Sequence, residues 1–218
     1  MEAQSTSLVS SDEHSYDAYT SLLQRLGPSN DAQWLEVMAE VCLTSGVLIL
    51  GDTVLDKPYT LKMDLVHHIW SGKHHAVDKG IDLPTLLWTD GERHLLCDYR
   101  IYDQPNNGKA KNDYFKDLID TAKACGFQPE YVLFDGWCSS LVNLRKIDTV
   151  GWRWQTRLKH NRRVNPARAR NRPVRDCDIA ATGTVVHLES YCMGKVFRII
   201  AKDGTAEQWT TNDWRWMN

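Results

Sequence analysis

Apolar residues recur at helical spacing in two stretches near the start of the chain. The first stretch predicts a helix over residues 16–26, which Gly27 and Pro28 end. Asn30 can cap a second helix, because five apolar positions follow it at helical spacing: Trp34, Leu35, Met38, Val41 and Cys42. Two helices joined by a tight turn occur in helix-turn-helix DNA-binding units, but they are more often simple packing helices.

Two short apolar runs farther along the chain have a shared feature. Residues 47–51 and 131–134 each predict a buried strand, and each strand is followed directly by a carboxylate, Asp52 or Asp135. Further strands are indicated by alternating or apolar patterns over these ranges: 152–158, 184–188, 196–201 and 208–211.

Turn and capping signals supply the remaining elements. The Asp-Gly pair in residues 89–92 predicts a hairpin between the apolar runs on either side, 83–88 and 94–102. One helix is predicted to begin at Asn112, and a second is predicted after a serine cap at 139 or 140. This order predicts an α/β fold, with a mixed sheet flanked by helices and a small β-rich piece after it.

Composition adds limits on the class of protein. The chain has 218 residues, 42% hydrophobic and 25% charged, which suits one domain with a small appendage. Its six cysteines include no Cys-x-x-Cys pair, which disfavours a zinc ribbon or a thioredoxin-type site, and several lie inside apolar patterns, which favours buried reduced thiols. No apolar run approaches ~18–20 residues, and the N-terminus lacks a signal-peptide pattern. We expect a cytoplasmic protein without a membrane partner.

Positive charge is concentrated in residues 152–175. This segment has nine cations and no acid, so the rest of the chain carries a formal charge of −11. Unopposed cations repel one another, which favours a polyanion partner over a solvated loop. Eight of them are candidate DNA-binding residues through phosphate contacts: Arg153, Arg157, Lys159, Arg162, Arg163, Arg168, Arg170 and Arg172.

Asp52 and Asp135 are the candidate catalytic and metal-binding residues. If their strands are neighbours, both carboxylates lie at the carboxyl edge of the sheet, where α/β proteins place ligands. Two like charges this close need a counter-charge, and Mg²⁺ or Mn²⁺ prefers carboxylate oxygens. Such ions beside a phosphate-binding segment indicate phosphoryl transfer on DNA or RNA. The alternative is that each aspartate only caps the turn after its strand.

The four clustered histidines do not indicate a zinc site. Their spacing matches no zinc motif and no cysteine accompanies them, so we interpret the segment as a polar loop: His67, His68, His74 and His75.

Five segments, in order along the chain, resemble motifs of bacterial insertion-sequence transposases of the DDE, RNase H-like superfamily. GDTVLDKPY at 51–59 resembles the first-aspartate motif, and VLFDGW at 132–137 resembles the second. Between them lie WSGKHH at 70–75, LWTDG at 87–91 and DYRIYD at 98–103. Each motif alone is weak, but the ordered set is specific, and the similarity runs from about residue 15 to 213.

The resemblance implies an RNase H-like sheet with Asp52 on its first strand and Asp135 on its fourth, side by side. It implies metal-dependent DNA strand cleavage and strand transfer, with Mg²⁺ or Mn²⁺ as cofactor. Transposon ends and target DNA are the implied partners, and a homodimer and nucleoid association are compatible with them. The implied parts are a partial helix-turn-helix segment at 1–45, a catalytic core at 46–158, and a basic segment with a β-rich insertion at 159–218.

The third carboxylate of the family has no counterpart in this sequence. It should follow the insertion in a helix of the type Tyr-x-x-Arg-x-x-x-Glu, whereas Glu189 and Glu207 fall in predicted β structure. We therefore expect a truncated chain with weak or no activity alone. Two alternatives stay open: a non-catalytic DNA-binding remnant, and another metal-dependent phosphodiesterase with a third carboxylate close to Asp52.

Overall fold

The structure, a computed structural model, describes residues 30–72, 74–166, 168–201, 204–213 and 215. This part of the chain contains four α-helices: α1 (Asn30–Val37), α2 (Gln104–Asn107), α3 (Lys111–Ala124) and α4 (Leu141–Val150). It contains eleven strands: β1 (Val47–Asp56), β2 (His67–Ser71), β3 (Ala76–Thr89), β4 (His94–Tyr99), β5 (Tyr131–Phe134), β6 (Trp154–Arg157), β7 (Arg163–Asn165), β8 (Arg172–Pro173), β9 (Thr184–Leu188), β10 (Met193–Ile200) and β11 (Ala206–Thr211).

All eleven strands belong to one mixed sheet, which confirms the predicted α/β fold with a mixed sheet. The strand order is β2-β3-β1-β5-β6-β11-β10-β9-β7-β8, and β4 also pairs with β3. β1 pairs antiparallel with β3 and parallel with β5, and β5 pairs parallel with β6. The helices α3 and α4 precede β5 and β6, as crossovers to parallel strands require.

The C-terminal strands extend this sheet. β11 pairs antiparallel with β6, so the β-rich part continues directly from the strands of the first part. The division of the chain at residue 158 therefore stays a prediction. No helix in the described ranges is long and apolar enough to span a bilayer.

Side chains on one face of the sheet form the core with α3 and α4. Leu48 and Leu50 are alternate residues of β1, and both are at most 2% exposed. They belong to the same buried cluster as Phe115 and Leu118 of α3 and Leu144 of α4. Each such side chain contributes about 1.5–3 kcal/mol through removal of apolar surface from water. This face therefore fixes where the first residues of α3 sit relative to β1.

Local sequence explains the helix ends near the site. Ser140 caps α4, because its hydroxyl oxygen accepts a hydrogen bond from the backbone N–H three residues later, at 3.3 Å. Gly151 ends that helix at a φ of 84°. The predicted cap at Asn112 is wrong: Ala110 occupies the N-cap, and its N–H donates to Asp113 Oδ2 at 3.0 Å.

Two other predictions from the pattern are wrong. β1 does not end at residue 51 but continues to Asp56, because its second half still pairs with β3 after its pairing with β5 stops. The histidine-rich segment is only partly a loop: residues 67–71 form β2 against the first part of β3, and His74 and His75 lie in the turn between these two strands. One extra strand therefore precedes Asp135, which follows the fifth strand of the described residues and not the fourth.

The N-terminal predictions are only partly covered. The helix predicted over residues 16–26 lies outside the described residues. α1 has Asn30, the predicted cap, as its first described residue and ends at Val37, before three of the apolar positions assigned to it: Met38, Val41 and Cys42.

Candidate functional site

A cleft of about 1110 Å³ opens at the edge of the sheet where β5 and β6 end. Side chains from both halves of the sheet line it. The lining includes residues from β1, β2 and α3, from the turn after β5, and from β6 and β11: Asp52, Trp70, Lys111, Asp135, Arg157, Lys159 and Glu207. The structure thus brings both predicted aspartates to one cleft.

Asp52 lies on β1, two residues beyond the last pair that joins β1 to β5, Leu50 with Phe134. Because side chains alternate along a strand, Asp52 shares the helix-covered face with Leu50. Lys111 is the first residue of α3, and its Nζ lies 2.6 Å from Asp52 Oδ2. The same nitrogen lies 2.5 Å from Asp82 Oδ2, so one ammonium joins two carboxylates.

Asp82 is the buried member of this group. It lies on β3 opposite Val54 of β1, and its side chain is 0% exposed. Burial raises the pKa of Asp82 to about 6; contact with Lys111 opposes this, and the nearby charge of Asp52 adds to it. Burial alone lowers the pKa of Lys111, but hydrogen bonds to Asp52 and Asp82 outweigh burial and the pKa is raised.

Asp135 has a more open setting. It follows β5 directly and is exposed. Its Oδ1 accepts a hydrogen bond from the Trp137 backbone N–H at 2.8 Å, which is an Asx turn. No cationic side chain within the described ranges forms an ion pair with it. Asp135 therefore makes the turn-capping contact that the sequence offered as the alternative to metal binding. This contact uses only one of its two carboxylate oxygens, Oδ1.

Two of the eight candidate cations line the cleft. Arg157 ends β6, and its Nη1 lies 2.8 Å from Glu207 Oε1 on β11. The other oxygen of Glu207 accepts a hydrogen bond from Trp209 Nε1 at 2.9 Å. Lys159 follows in the next turn. These side chains form the basic side of the cleft, defined here as Arg157 and Lys159 with the Glu207 carboxylate that holds Arg157.

Arg153 and Arg162 do not line the cleft. Arg153 lies at the opposite end of β5 and β6, where its guanidinium is 5.6 Å from the Tyr131 ring and its Nε donates to the Glu130 carbonyl. Nε and Nη2 of Arg162 are buried and have no hydrogen-bond partner in the described part of the chain. Burial accordingly lowers the pKa of Arg162.

The remaining candidates surround β7 and β8. Arg163 is paired with Glu189, its Nε 3.3 Å from Oε1. The other three arginines are exposed and form no ion pair with any residue that the structure describes: Arg168, Arg170 and Arg172. The cations of residues 152–175 are therefore spread over several places and do not form one continuous track.

Sequence reasoning missed Lys111 and Asp82. One signal was available for Lys111, because a lysine in the first turn of a helix is opposed by the helix dipole and needs a compensating acid. Asp82 had no comparable signal, since its strand was predicted to start only at residue 83 and its partner depends on the pairing of β1 with β3. Glu207 was considered, but its place on the cleft depends on the pairing of β11 with β6.

A hard divalent cation fits the donor set of the cleft. Asp52 and Asp135 offer carboxylate oxygens from neighbouring strands, and the Lys111 ammonium already stands at Asp52 as a positive charge.

A second group of ligand atoms lies outside the cleft. His74 Nε2 is 3.0 Å from Asp56 Oδ2 and 3.9 Å from Asp78 Oδ2, so part of the histidine-rich segment contacts surface carboxylates.

Comparison with known proteins gives little. No family model and no curated protein matches this sequence. Among solved structures, the chain is similar to a piggyBac transposase in a synaptic complex with hairpin DNA, with a TM-score of 0.46 and 10% sequence identity. The similarity covers 78% of this chain and 34% of that one, so the chain spans about a third of the length of that transposase.

Proposed function

We propose that the chain is the RNase H-like core of a DDE-type DNA transposase, which cleaves and joins DNA strands at transposon ends with Mg²⁺ or Mn²⁺. One observation carries the proposal. Asp52 and Asp135 come from the adjacent parallel strands β1 and β5 and line one cleft, and Arg157 and Lys159 line the same cleft from β6 onward. The motif resemblance requires such a pair of neighbouring strands.

The carboxylates and the cations of the cleft have separate roles in the phosphodiester chemistry that we propose. A bound divalent ion would lower the pKa of an attacking water or hydroxyl and stabilise the leaving oxygen. Asp52 and Asp135 supply oxygen ligands for it. Arg157 and Lys159 lie where they can hold the phosphates of the bound strand, and the Trp70 indole, 61% exposed, offers a surface on which a base can stack.

Metal-linked DNA affinity tests this proposal even if turnover is slow. Fluorescence anisotropy of a labelled duplex should show about tenfold tighter binding with Mn²⁺ than without it, because an ion held by Asp52 and Asp135 would attract the phosphates of the DNA. Asp52→Asn and Asp135→Asn should each lose this gain.

The matched control is Asp117→Asn, which removes an exposed carboxylate paired with Lys109 outside the cleft. It should keep the gain. An Mn²⁺ effect that survives both cleft substitutions would refute the assignment of the two aspartates. Plasmid nicking under the same conditions distinguishes an active transposase from a non-catalytic DNA-binding remnant. Nicking that requires both aspartates supports the transposase. Metal-dependent binding without nicking supports the non-catalytic DNA-binding protein.

A different metal-dependent phosphodiesterase is the second candidate, and the position of Asp82 favours it. A third carboxylate lies beside Asp52 within this chain. Glu207 is a poorer candidate, because three strand spacings of about 4.8 Å separate β11 from β1. Hydrolysis of a small phosphodiester at a rate equal to that on DNA would favour this function over a transposase.

A further inference from the structure

We propose that the carboxylates of Asp52 and Asp82 form a preorganised cation-binding site, called the seat here, which holds the Lys111 ammonium. A divalent ion that enters the cleft displaces this ammonium. This inference rests on the proposed function, because it concerns the same Asp52 oxygen. It adds a third carboxylate and a competing cation to the site.

The geometry shows a seat for positive charge. One nitrogen lies 2.6 Å from Asp52 and 2.5 Å from Asp82, and the Asp82 side chain is completely buried. Apart from the Lys111 ammonium, neither Asp82 oxygen has a hydrogen-bond donor in the described part of the chain. A buried carboxylate without such donors depends on its counter-ion, so a cation must occupy the position in every state in which Asp82 is charged.

Ammonium and metal exclude each other at this seat. An ammonium has no lone pair to share with a metal, and it occupies the Asp52 oxygen that would bind the ion. A divalent ion carries twice the charge and accepts carboxylate oxygens as ligands. The exchange is therefore a competition between Lys111 and the ion for the same carboxylates.

Two aromatic rings lie close to the Lys111 ammonium in its present position and can stay close to it when it leaves Asp52. Its Nζ lies 5.2 Å from the centre of the Trp137 ring and 5.7 Å from that of Tyr102. Aromatic faces at this distance stabilise a cation. The Lys111 side chain is 28% exposed at the cleft, and its four-carbon stem can move the ammonium away from the two carboxylates while α3 stays in place.

Manganese binding to the purified chain tests the competition without any turnover. The signal of free Mn²⁺ in electron paramagnetic resonance should show that Lys111→Met binds the ion roughly tenfold more tightly than the wild type. Lys109→Met is the matched control, because it removes a lysine two residues away that pairs with exposed Asp117. It should leave Mn²⁺ affinity unchanged. Equal or weaker binding by Lys111→Met would overturn the inference.

The double variant Lys111→Met with Asp82→Asn tests the contribution of Asp82. It removes both charges of the buried pair, so it should fold even if Lys111→Met alone does not, and it should lose the tenfold gain. A gain that persists in the double variant would remove Asp82 from the seat.

The unmodified chain provides a further test. Lysine side-chain NMR should show the Lys111 ammonium signal shifting on addition of Mg²⁺ while the Lys109 signal stays unchanged. A Lys111 signal that does not move at saturating Mg²⁺ would contradict displacement. If Mn²⁺ binding depends on Asp52 and Asp135 but not on Lys111, only this inference fails. If no bound Mn²⁺ depends on Asp52 or Asp135, the proposed function fails too.

Discussion

The two sides of the cleft hold their charges in opposite ways. On the acidic side, Asp82 is fully buried and Asp52 is mostly buried, and both share the ammonium of Lys111. On the basic side, the Arg157 side chain is 45% exposed, and an ion pair with Glu207 restrains it. Buried charges in contact fix geometry at a cost in stability, whereas exposed cations add affinity that salt can screen. We therefore expect the basic side to affect the salt dependence of DNA binding and the acidic side to affect the pH dependence of stability.

Salt dependence should be the largest effect, and the basic side contributes part of it. With about six phosphate contacts, DNA affinity should fall roughly a thousandfold between ~50 and ~200 mM salt. Fluorescence anisotropy across a salt series measures the slope. Affinity indifferent to salt would remove every DNA-binding function considered for this chain.

The next effect separates the cleft cations from the rest of the surface. Arg157→Gln with Lys159→Gln should weaken DNA binding by at least about tenfold and reduce the salt slope by roughly two. Lys123→Gln with Arg145→Gln removes the same charge from exposed positions outside the cleft and should change affinity far less. Equal losses in the two double variants would mean that net charge, and not the cleft, attracts DNA.

A stability effect should mark the acidic side. The pKa of Asp82 is raised from 3.8 to about 6, so the folded chain binds its proton more tightly than the unfolded chain does. The contribution of Asp82 to stability therefore falls as pH rises through this window, and the loss is complete above it.

Asp82→Asn removes that loss. It should raise the free energy of unfolding by about 1–3 kcal/mol above pH ~7 and change little below pH ~4. Urea unfolding across this pH range measures it. Destabilisation by Asp82→Asn at neutral pH would show that the charged pair with Lys111 is net stabilising.

The smallest effect is expected at Arg153, which sits at the opposite end of β5 and β6 from the cleft. Arg153→Gln should change DNA affinity less than about twofold at moderate salt, although it removes the same charge as Arg157→Gln. A loss as large as that of Arg157→Gln would place bound DNA along the whole of β6, outside the cleft.

The sequence was sufficient for the elements that local patterns decide. β5 and β9 match their predicted ranges residue for residue, and the hairpin of β3 and β4 has the predicted Asp-Gly turn. Elements decided by pairing were not predictable in this way. The second half of β1 and the strand β2 exist because β3 is long enough to pair with both.

The same distinction holds at the site. Asp52 and Asp135 were identified because each follows a recognisable apolar run. Lys111 and Asp82 were not, because their importance arises only when β1, β3 and the start of α3 come together. The basic segment, which was expected to meet a polyanion on one face, is also divided, since Arg153 and Arg157 lie at opposite ends of one four-residue strand region.

The central claim is that Asp52 and Asp135 bind the same ion, and anomalous diffraction from crystals grown with Mn²⁺ tests it most directly. The predicted result is an anomalous peak in the cleft within about 2.2 Å of an oxygen from each of the two carboxylates, with Lys111 moved away from Asp52. A peak at the surface group of Asp56, His74 and Asp78, with none between Asp52 and Asp135, would contradict it.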